Sequence, residues 1–370
     1  MKIKVLHVIK SLGRGGAEML LPETLQVHDT AVFEFHYLYF LPWKDQMVEA
    51  IEQSGGKVTC FAAKNNVLLL LQYKKIIRYC QEHDIQLLHA HLPWAGFVSR
   101  LVHLLTGIPV LYTEHNMQER YHVVTRVLNR FTFRYQTVGI GVSEEVTRSI
   151  HHNIGPKIPV HTVLNGVNTE AFQRQNPVAA SSIRRQLGIP PDAFVVGTVA
   201  VFRFQKRLDL WLEIMKAALD KAPGMYGIVV GAGPLEAAIR EKHQALGLEG
   251  KVFFVGLQTD VKPYYEAMDA FMMCSSFEGL PIALLEAMSM GCAVLTTAAG
   301  GVKEVLATPE HGIVVSVADW NTLADALLDL AHHREQLAAL QRAARLRVEH
   351  SFSLNAMTVA LEQLYKTHSR

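Results

Sequence analysis

The segment FEGLPIALLEAMSMG sets two carboxylates, Glu278 and Glu286, on either side of a predicted helix start. Ser275 and Ser276 end a strand-like run, and Glu278, Gly279 and Leu280 make a turn. Pro281 is expected at the first helical position, where its fixed φ and missing N–H are tolerated. Backbone N–H groups at Gly279, Leu280 and Ile282 would then face outward from a positive helix end, a ready anion site. Gly279 has no side chain to block close approach of a phosphate or sugar. An ordinary capped helix with Glu278 near its dipole fits the same spacing. A cation pair, Arg203 and Lys206, follows another strand. It suits a diphosphate leaving group that gains negative charge, and it suits a solvated basic loop equally.

Histidines and glycines in the first half form a second set. His91 in HAHLP and His115 in YTEHN end consecutive strands, and His89 lies two residues from His91 on the same strand face. A strand-end histidine is more often structural than functional, so both readings stand. Gly13, Gly15 and Gly16 follow the first strand and open a helix. Glu18 occupies the third glycine's place in a dinucleotide fingerprint, and no acidic residue closes the second strand. Pro22 is expected to kink that helix or delay its start. Ser143 reads as a helix N-cap before Glu144, and Asn165-Gly166 as a turn. The sequence holds no Asp-x-Asp and no His, Cys or carboxylate cluster at metal-ligand spacing, so a site without metal or cofactor is expected.

Positioning these groups requires an α/β scaffold. Short apolar runs from Val5–Ile9 to Val138–Val142, and again from Phe194–Phe202 to Gly312–Val315, alternate with helical patterns such as Trp43–Ser54 and Leu68–His83. The polar stretch Gly166–Pro191 reads as the connection between two α/β halves. A length of 370 residues agrees with more than one domain, and 49% hydrophobic with 19% charged residues describes a packed chain. Lys+Arg 36 against Asp+Glu 34 leaves +2, which argues against a dedicated nucleic-acid binder. The cysteines Cys60, Cys80, Cys274 and Cys292 are scattered, as in a reducing compartment. Mean hydropathy is +0.14, yet no apolar run is long enough to span a bilayer. The opening MKIKVLHVIK reads as a buried strand and not a secretory signal, so a cytoplasmic location is expected. Leu68–Leu71 with Lys74, Lys75 and Arg78 reads as a helix packed on the sheet, with a membrane-surface role as the second reading.

These motifs together resemble the family 4 retaining glycosyltransferases, whose fold is GT-B. EGLPIALLEAMSMGCAVLTTAAGG resembles the family's Glu-x7-Glu donor motif, and IKVLHVIKSLGRGGAEMLL its opening strand, loop and helix. LLHAHLPWAGFVSRLVHLLTGIPVLYTEHN, VLNGVNTEAF, VGTVAVFRFQKRLDL and HGIVVSVADWNTLADAL follow in the family's order, so the resemblance covers nearly the whole chain. It implies two facing Rossmann-like domains with the active site in the cleft between them. Residues 1–168 would form the acceptor side, joined by a C-terminal helix at 352–370, and residues 190–351 would bind the nucleotide-sugar donor.

The resemblance further implies that Glu286 binds ribose hydroxyls and Glu278 a sugar hydroxyl, while amides from Gly279 to Ile282 around Pro281 hold the diphosphate. Lys206 and Arg203 would stabilise the leaving group, although Val201 stands where the family usually has its arginine. His91 or His115 would contact sugar or acceptor, and Gly15 and Gly16 would lie beside the phosphates. The implied reaction is metal-independent, retaining transfer from a nucleotide-sugar, with uridine as the base, to a glycan or lipid-linked acceptor. Peripheral association with the cytoplasmic membrane face would accompany such an acceptor. An epimerase on the same fold and a non-catalytic nucleotide-sugar binder are the alternatives.

Overall fold

The computed structural model describes residues 2–175 and 177–369. Its contacts divide the chain into two units, Met1–Gly166 with Leu354–Arg370, and Val167–Ser353. In the first, the strands β1 (Ile3–Val8), β2 (Phe33–Tyr39), β3 (Lys57–Cys60), β4 (Leu87–His91), β5 (Val110–Glu114), β6 (Val138–Gly141) and β7 (Val160–Thr162) form one sheet. Their order is β3-β2-β1-β4-β5-β6-β7, all pairs parallel. β4 and β5 are buried at every position, as expected for strands covered on both faces. The edge strand β7 was not anticipated, because its three residues VHT carry no apolar run and stay partly exposed. The C-terminal helix Leu354–His368 completes this unit by adding Leu361 and Tyr365 to a core with Val5, Phe33 and Phe35.

The second unit holds β8 (Val195–Val199), β9 (Tyr226–Val230), β10 (Val252–Gly256), β11 (Ala270–Met273), β12 (Ala293–Thr297) and β13 (Ile313–Val315). Their order is β10-β9-β8-β11-β12-β13, again parallel. Trp211 on the helix Leu208–Lys221 is fully buried and donates its indole N–H to the Met272 carbonyl at 3.1 Å, pinning that helix to β11. Each sheet reverses strand order once, between β1 and β4 and between β8 and β11. In open α/β sheets such a reversal opens a crevice at the carboxyl ends of the strands.

Several local expectations need correction. The helix predicted at Trp43–Ser54 covers only Val48–Gln53, because the residues before it bond to the loop after β1 (Leu12 N to Lys44 O, Met47 N to Leu12 O, both 2.9 Å). Leu68–His83 is two helices, Asn66–Leu71 and Tyr73–Glu82, the first started by Asn65, whose side chain accepts from Leu68 N. The helix Gly16–Val27 starts without delay and runs through Pro22. Gly166–Pro191 is not a free connection. The helix Pro177–Gln186 packs on Lys262–Ala267, and Arg184 binds the Ala267 and Ala193 carbonyls and Asp269.

Candidate active site

In the second unit, four loops at the carboxyl ends of β9, β8, β11 and β12 are drawn together. Phe202 N bonds to Ala232 O, Ser276 N to Gln205 O, and Gly301 N to Gly279 O, at 2.8 to 3.0 Å. Glycines make this closeness possible. A Cβ on Gly231 (φ +124) would lie 2.0 Å from the Ala200 carbonyl oxygen, and one on Gly300 (φ +60) would lie 1.9 Å from that of Glu278.

Lys206 after β8 and Glu278 after β11 meet here, Nζ to Oε1 at 2.5 Å, with only a tenth to a fifth of either side chain exposed. Ser275 donates its hydroxyl to the same Glu278 oxygen at 2.6 Å, and its own carbonyl accepts from Thr297 Oγ1. The lysine and glutamate thus straddle the reversal between β8 and β11. Arg203 is exposed and makes no ion pair among the described residues. Next to Lys206, Arg207 holds a left-handed backbone (φ 47), an uncommon conformation for any residue with a Cβ, and donates to the Val317 carbonyl.

Beyond Glu278, the chain enters the helix Ile282–Ser289. Pro281 is one residue earlier than expected. It is extended (φ −74, ψ 118) and its carbonyl accepts from Leu284 N, so Ile282 opens the helix. No side chain caps this helix. Glu278 is engaged by Lys206 and Ser275, which removes the capped-helix reading of the motif. Glu286 lies on the helix's buried side, 3% exposed, and accepts from the Tyr265 hydroxyl at 2.8 Å. Burial raises its pKa to about 7, and the Tyr265 hydrogen bond only partly offsets that.

In the first unit, the carboxyl ends of β1, β4 and β5 gather imidazoles. His7 pairs with His89 in the β1–β4 register. His7 Nδ1 lies 3.0 Å from His91 Nε2, and His91 Nδ1 lies 3.3 Å from His115 Nε2. His89 is satisfied separately by the Tyr365 and Thr113 hydroxyls, both at 2.7 Å. Burial pushes His89 down to about 3 and His115 to about 4, and holds His7 and His91 well below the ordinary value, so all four rings are neutral at pH 7. Leu92, directly after His91, takes φ 67, an outlier for a bulky residue that turns the chain sharply into the helix Leu92–Thr106. Glu114, ahead of His115, is fully buried and accepts from Tyr112, Tyr121 and Gln118 side chains, which fixes the loop that carries His115. Gly15 precedes the helix Gly16–Val27, and Ala17 and Leu20 of that helix line a small cavity with His7, His91 and His115.

Residues 180–347 match the family of glycosyl transferases group 1, and residues 22–171 match glycosyltransferase family 4. The chain belongs to the group 1 glycosyltransferases. Among proteins similar to this glycosyltransferase, the lipopolysaccharide core biosynthesis mannosyltransferase LpsB of Rhizobium meliloti is 29% identical over 58% of this chain and 62% of LpsB. A UDP-Gal:alpha-D-GlcNAc-diphosphoundecaprenol alpha-1,3-galactosyltransferase of Escherichia coli is 21% identical over 98% of this chain and 97% of its own. The solved structure of Anabaena HepE in complex with UDP and glucose superposes with a TM-score of 0.88 at 20% identity, covering 99% of this chain and 100% of HepE. The glycosyltransferase therefore has the GT-B fold, with two parallel α/β sheets.

Sequence reading of this glycosyltransferase singled out Lys206, Glu278, Glu286, His91 and His115, and the structure pairs Lys206 with Glu278 and His91 with His115. It placed Ser275 at a strand end without giving it a role, and it missed Tyr265 and His7. No motif marks Tyr265, and His7 had one signal, a polar residue inside the apolar run of β1. No histidines are grouped at metal-ligand spacing along the sequence, but the fold gathers three of them. His7, His89 and His91 each offer a ring nitrogen within 4.8 Å of the others, because two parallel strands bring together positions more than eighty residues apart.

Proposed function

We propose that this glycosyltransferase moves a sugar from a UDP-sugar to a hydroxyl of a glycan or lipid-linked acceptor, with retention at the anomeric carbon and without a metal ion. The observation that carries the reading is the Lys206–Glu278 pair astride the β8/β11 reversal, with the uncapped helix Ile282–Ser289 beginning just beyond it. Lys206 and the helix's first N–H groups supply positive charge to the diphosphate, and exposed Arg203 can reach a phosphate without giving up a partner. Glu286 accepts from the vicinal ribose hydroxyls, which replace water poorly supplied at a buried carboxylate. Glu278 accepts from a sugar hydroxyl. In the transfer the anomeric C–O bond to phosphate breaks, the acceptor oxygen bonds to the same face, and the acceptor proton passes to the departing phosphate oxygen.

UDP as the nucleotide is supported by HepE, solved with UDP and glucose, and a lipid-linked acceptor by the diphosphoundecaprenol named for the E. coli relative. The test is a screen of nucleotide-sugars that measures released nucleoside diphosphate with candidate acceptors, repeated with chelator present. Lys206→Ala should lower turnover roughly 100-fold or more while remaining folded. Turnover unchanged in that variant, or lost in chelator, would sink the assignment. Conversion of the donor without acceptor would indicate an epimerase, and binding without release a non-catalytic binder.

Peripheral membrane association is part of the same reading. Among the described residues, no helix is long and apolar enough to cross a membrane. On the helix Val123–Thr132, Val123, Val127 and Phe131 are exposed (Phe131 68%), and Arg126 and Arg130 share that short helix, with Arg120 and Arg134 flanking it. An apolar and cationic face of this kind suits an anionic lipid surface.

A further inference from the structure

We propose that His7, His91 and His115 form a hydrogen-bond chain with a single proton order, each donating forward from Nδ1, so that His115 presents an N–H donor to a substrate oxygen. The word substrate rests on the glycosyl-transfer reading above; the proton order does not.

The order follows from the end of the chain at His7. Its Nδ1 faces His91 Nε2 at 3.0 Å, while its Nε2 is buried and meets no hydrogen-bond partner among the described residues. A neutral imidazole carries one N–H and one lone pair. If the protons ran toward His7, that orphaned Nε2 would be an N–H, and a buried donor without an acceptor costs more than a buried lone pair left bare. With a lone pair there, His7 Nδ1–H donates to His91 Nε2, and His91 Nδ1–H donates to His115 Nε2 at 3.3 Å. His115 must then carry its proton on Nδ1. That nitrogen has no partner within the protein among the described residues, and the His115 side chain is partly exposed, so the N–H is available to a ligand.

A shared metal ion is the competing use of these nitrogens. The His7 and His91 rings lie within 10° of parallel, and their nitrogens sit at hydrogen-bond distance. Both His89 nitrogens are taken up by hydroxyl groups at 2.7 Å. A tetrahedral ion with nitrogens about 2.0–2.1 Å away would require this cluster to spread and His89 to release a partner. The proton chain needs neither.

The consequence concerns mechanism. An imidazole with its lone pair turned inward cannot act as a base toward an acceptor hydroxyl. It can polarise or hold an oxygen that gains negative charge. His115 is the group that touches substrate in this scheme, while His91 and His7 are positioning residues that set which of its nitrogens carries hydrogen.

The test uses the full-length protein without substrate, with nitrogen-labelled histidine, read by two-bond proton–nitrogen correlation. Protonated Nδ1 with bare Nε2 is expected at His7, His91 and His115. Protonated Nε2 at His91 and His115 would overturn the order, as would near-stoichiometric zinc in the purified protein. An activity arm compares His115→Asn, whose amide N–H falls near the Nδ1 position but has no basic nitrogen, with His115→Phe. The Asn variant should stay within about tenfold of normal turnover and the Phe variant should lose about 100-fold or more. Equal loss in both would refute the donor role. His7→Glu places an acceptor at the closed end and should move the His115 proton to Nε2, whereas His7→Phe should not. An unmoved His115 signal in folded His7→Glu would remove His7 from the scheme. Normal transfer with the reversed order defeats this inference alone, and the expected order in a protein without transfer defeats the glycosyl-transfer reading alone.

Discussion

Glu286 is a carboxylate with one hydroxyl donor and almost no water, and its pKa rises from 4.5 to about 7. A raised carboxyl pKa means that the folded protein holds a proton which the unfolded chain has lost, so stability falls as pH rises through that window. Glu286→Gln removes this penalty. Its melting temperature relative to the parent should therefore be higher at pH 8 than at pH 5, with an advantage approaching roughly 3 kcal/mol. Donor binding should be lost in the same variant, which calorimetry with UDP would read. A pH-independent difference in melting temperature would show that Glu286 is not the buried acid described. Glu286 and Glu278 were both visible in the sequence as a spaced pair, but the sequence does not reveal that one is paired to a lysine and the other has its pKa raised to about 7 by burial.

At the level of elements, the loops after β8, β9, β11 and β12 are held together by backbone contacts that only glycine permits. Gly300 has its would-be Cβ 1.9 Å from the Glu278 carbonyl, while Gly291, with a similar φ of +65, has open space around it. Gly300→Ala must displace the Glu278 turn, and is expected to cost roughly 2 kcal/mol or more and to weaken UDP binding. Gly291→Ala bears only the local strain and should leave UDP binding unchanged. Equal calorimetric affinities for the two variants would contradict the account. The exposed helix Val123–Thr132 makes a second prediction at this scale. Phe131→Asp with Val127→Asp should abolish co-sedimentation with anionic vesicles and leave turnover on a soluble acceptor intact. Retained sedimentation would place any membrane contact elsewhere.

For the whole molecule, the chain's last helix is not an appendage. Leu354–His368 returns to the first unit, where Tyr365 donates or accepts at His89 and Glu362 pairs with His28 at 3.0 Å. Tyr365→Phe leaves a buried His89 nitrogen without its partner, a loss of roughly 1–3 kcal/mol. Hydrogen exchange should quicken in β1 and β4 and stay unchanged in β8 and β11. Faster exchange across both sheets would mean that the two units do not respond separately.

Strand and helix periodicity, the glycine and proline punctuation and the Glu-x7-Glu spacing made the α/β class, nearly all strands and the Glu278 and Glu286 pair legible in the sequence, because those features arise from neighbouring residues. Tertiary structure decided what depends on distant segments meeting. It broke the Trp43–Ser54 helix through backbone bonds to Leu12, and drew the supposed connection, from Val167 onward, into the second unit through Arg184. It also assembled His7 with His91 across parallel strands. A sequence records which side chains exist and how they repeat. Which of them lose water together is set by the sheet order, and with it the charge state of Glu286 and the direction of the imidazole protons.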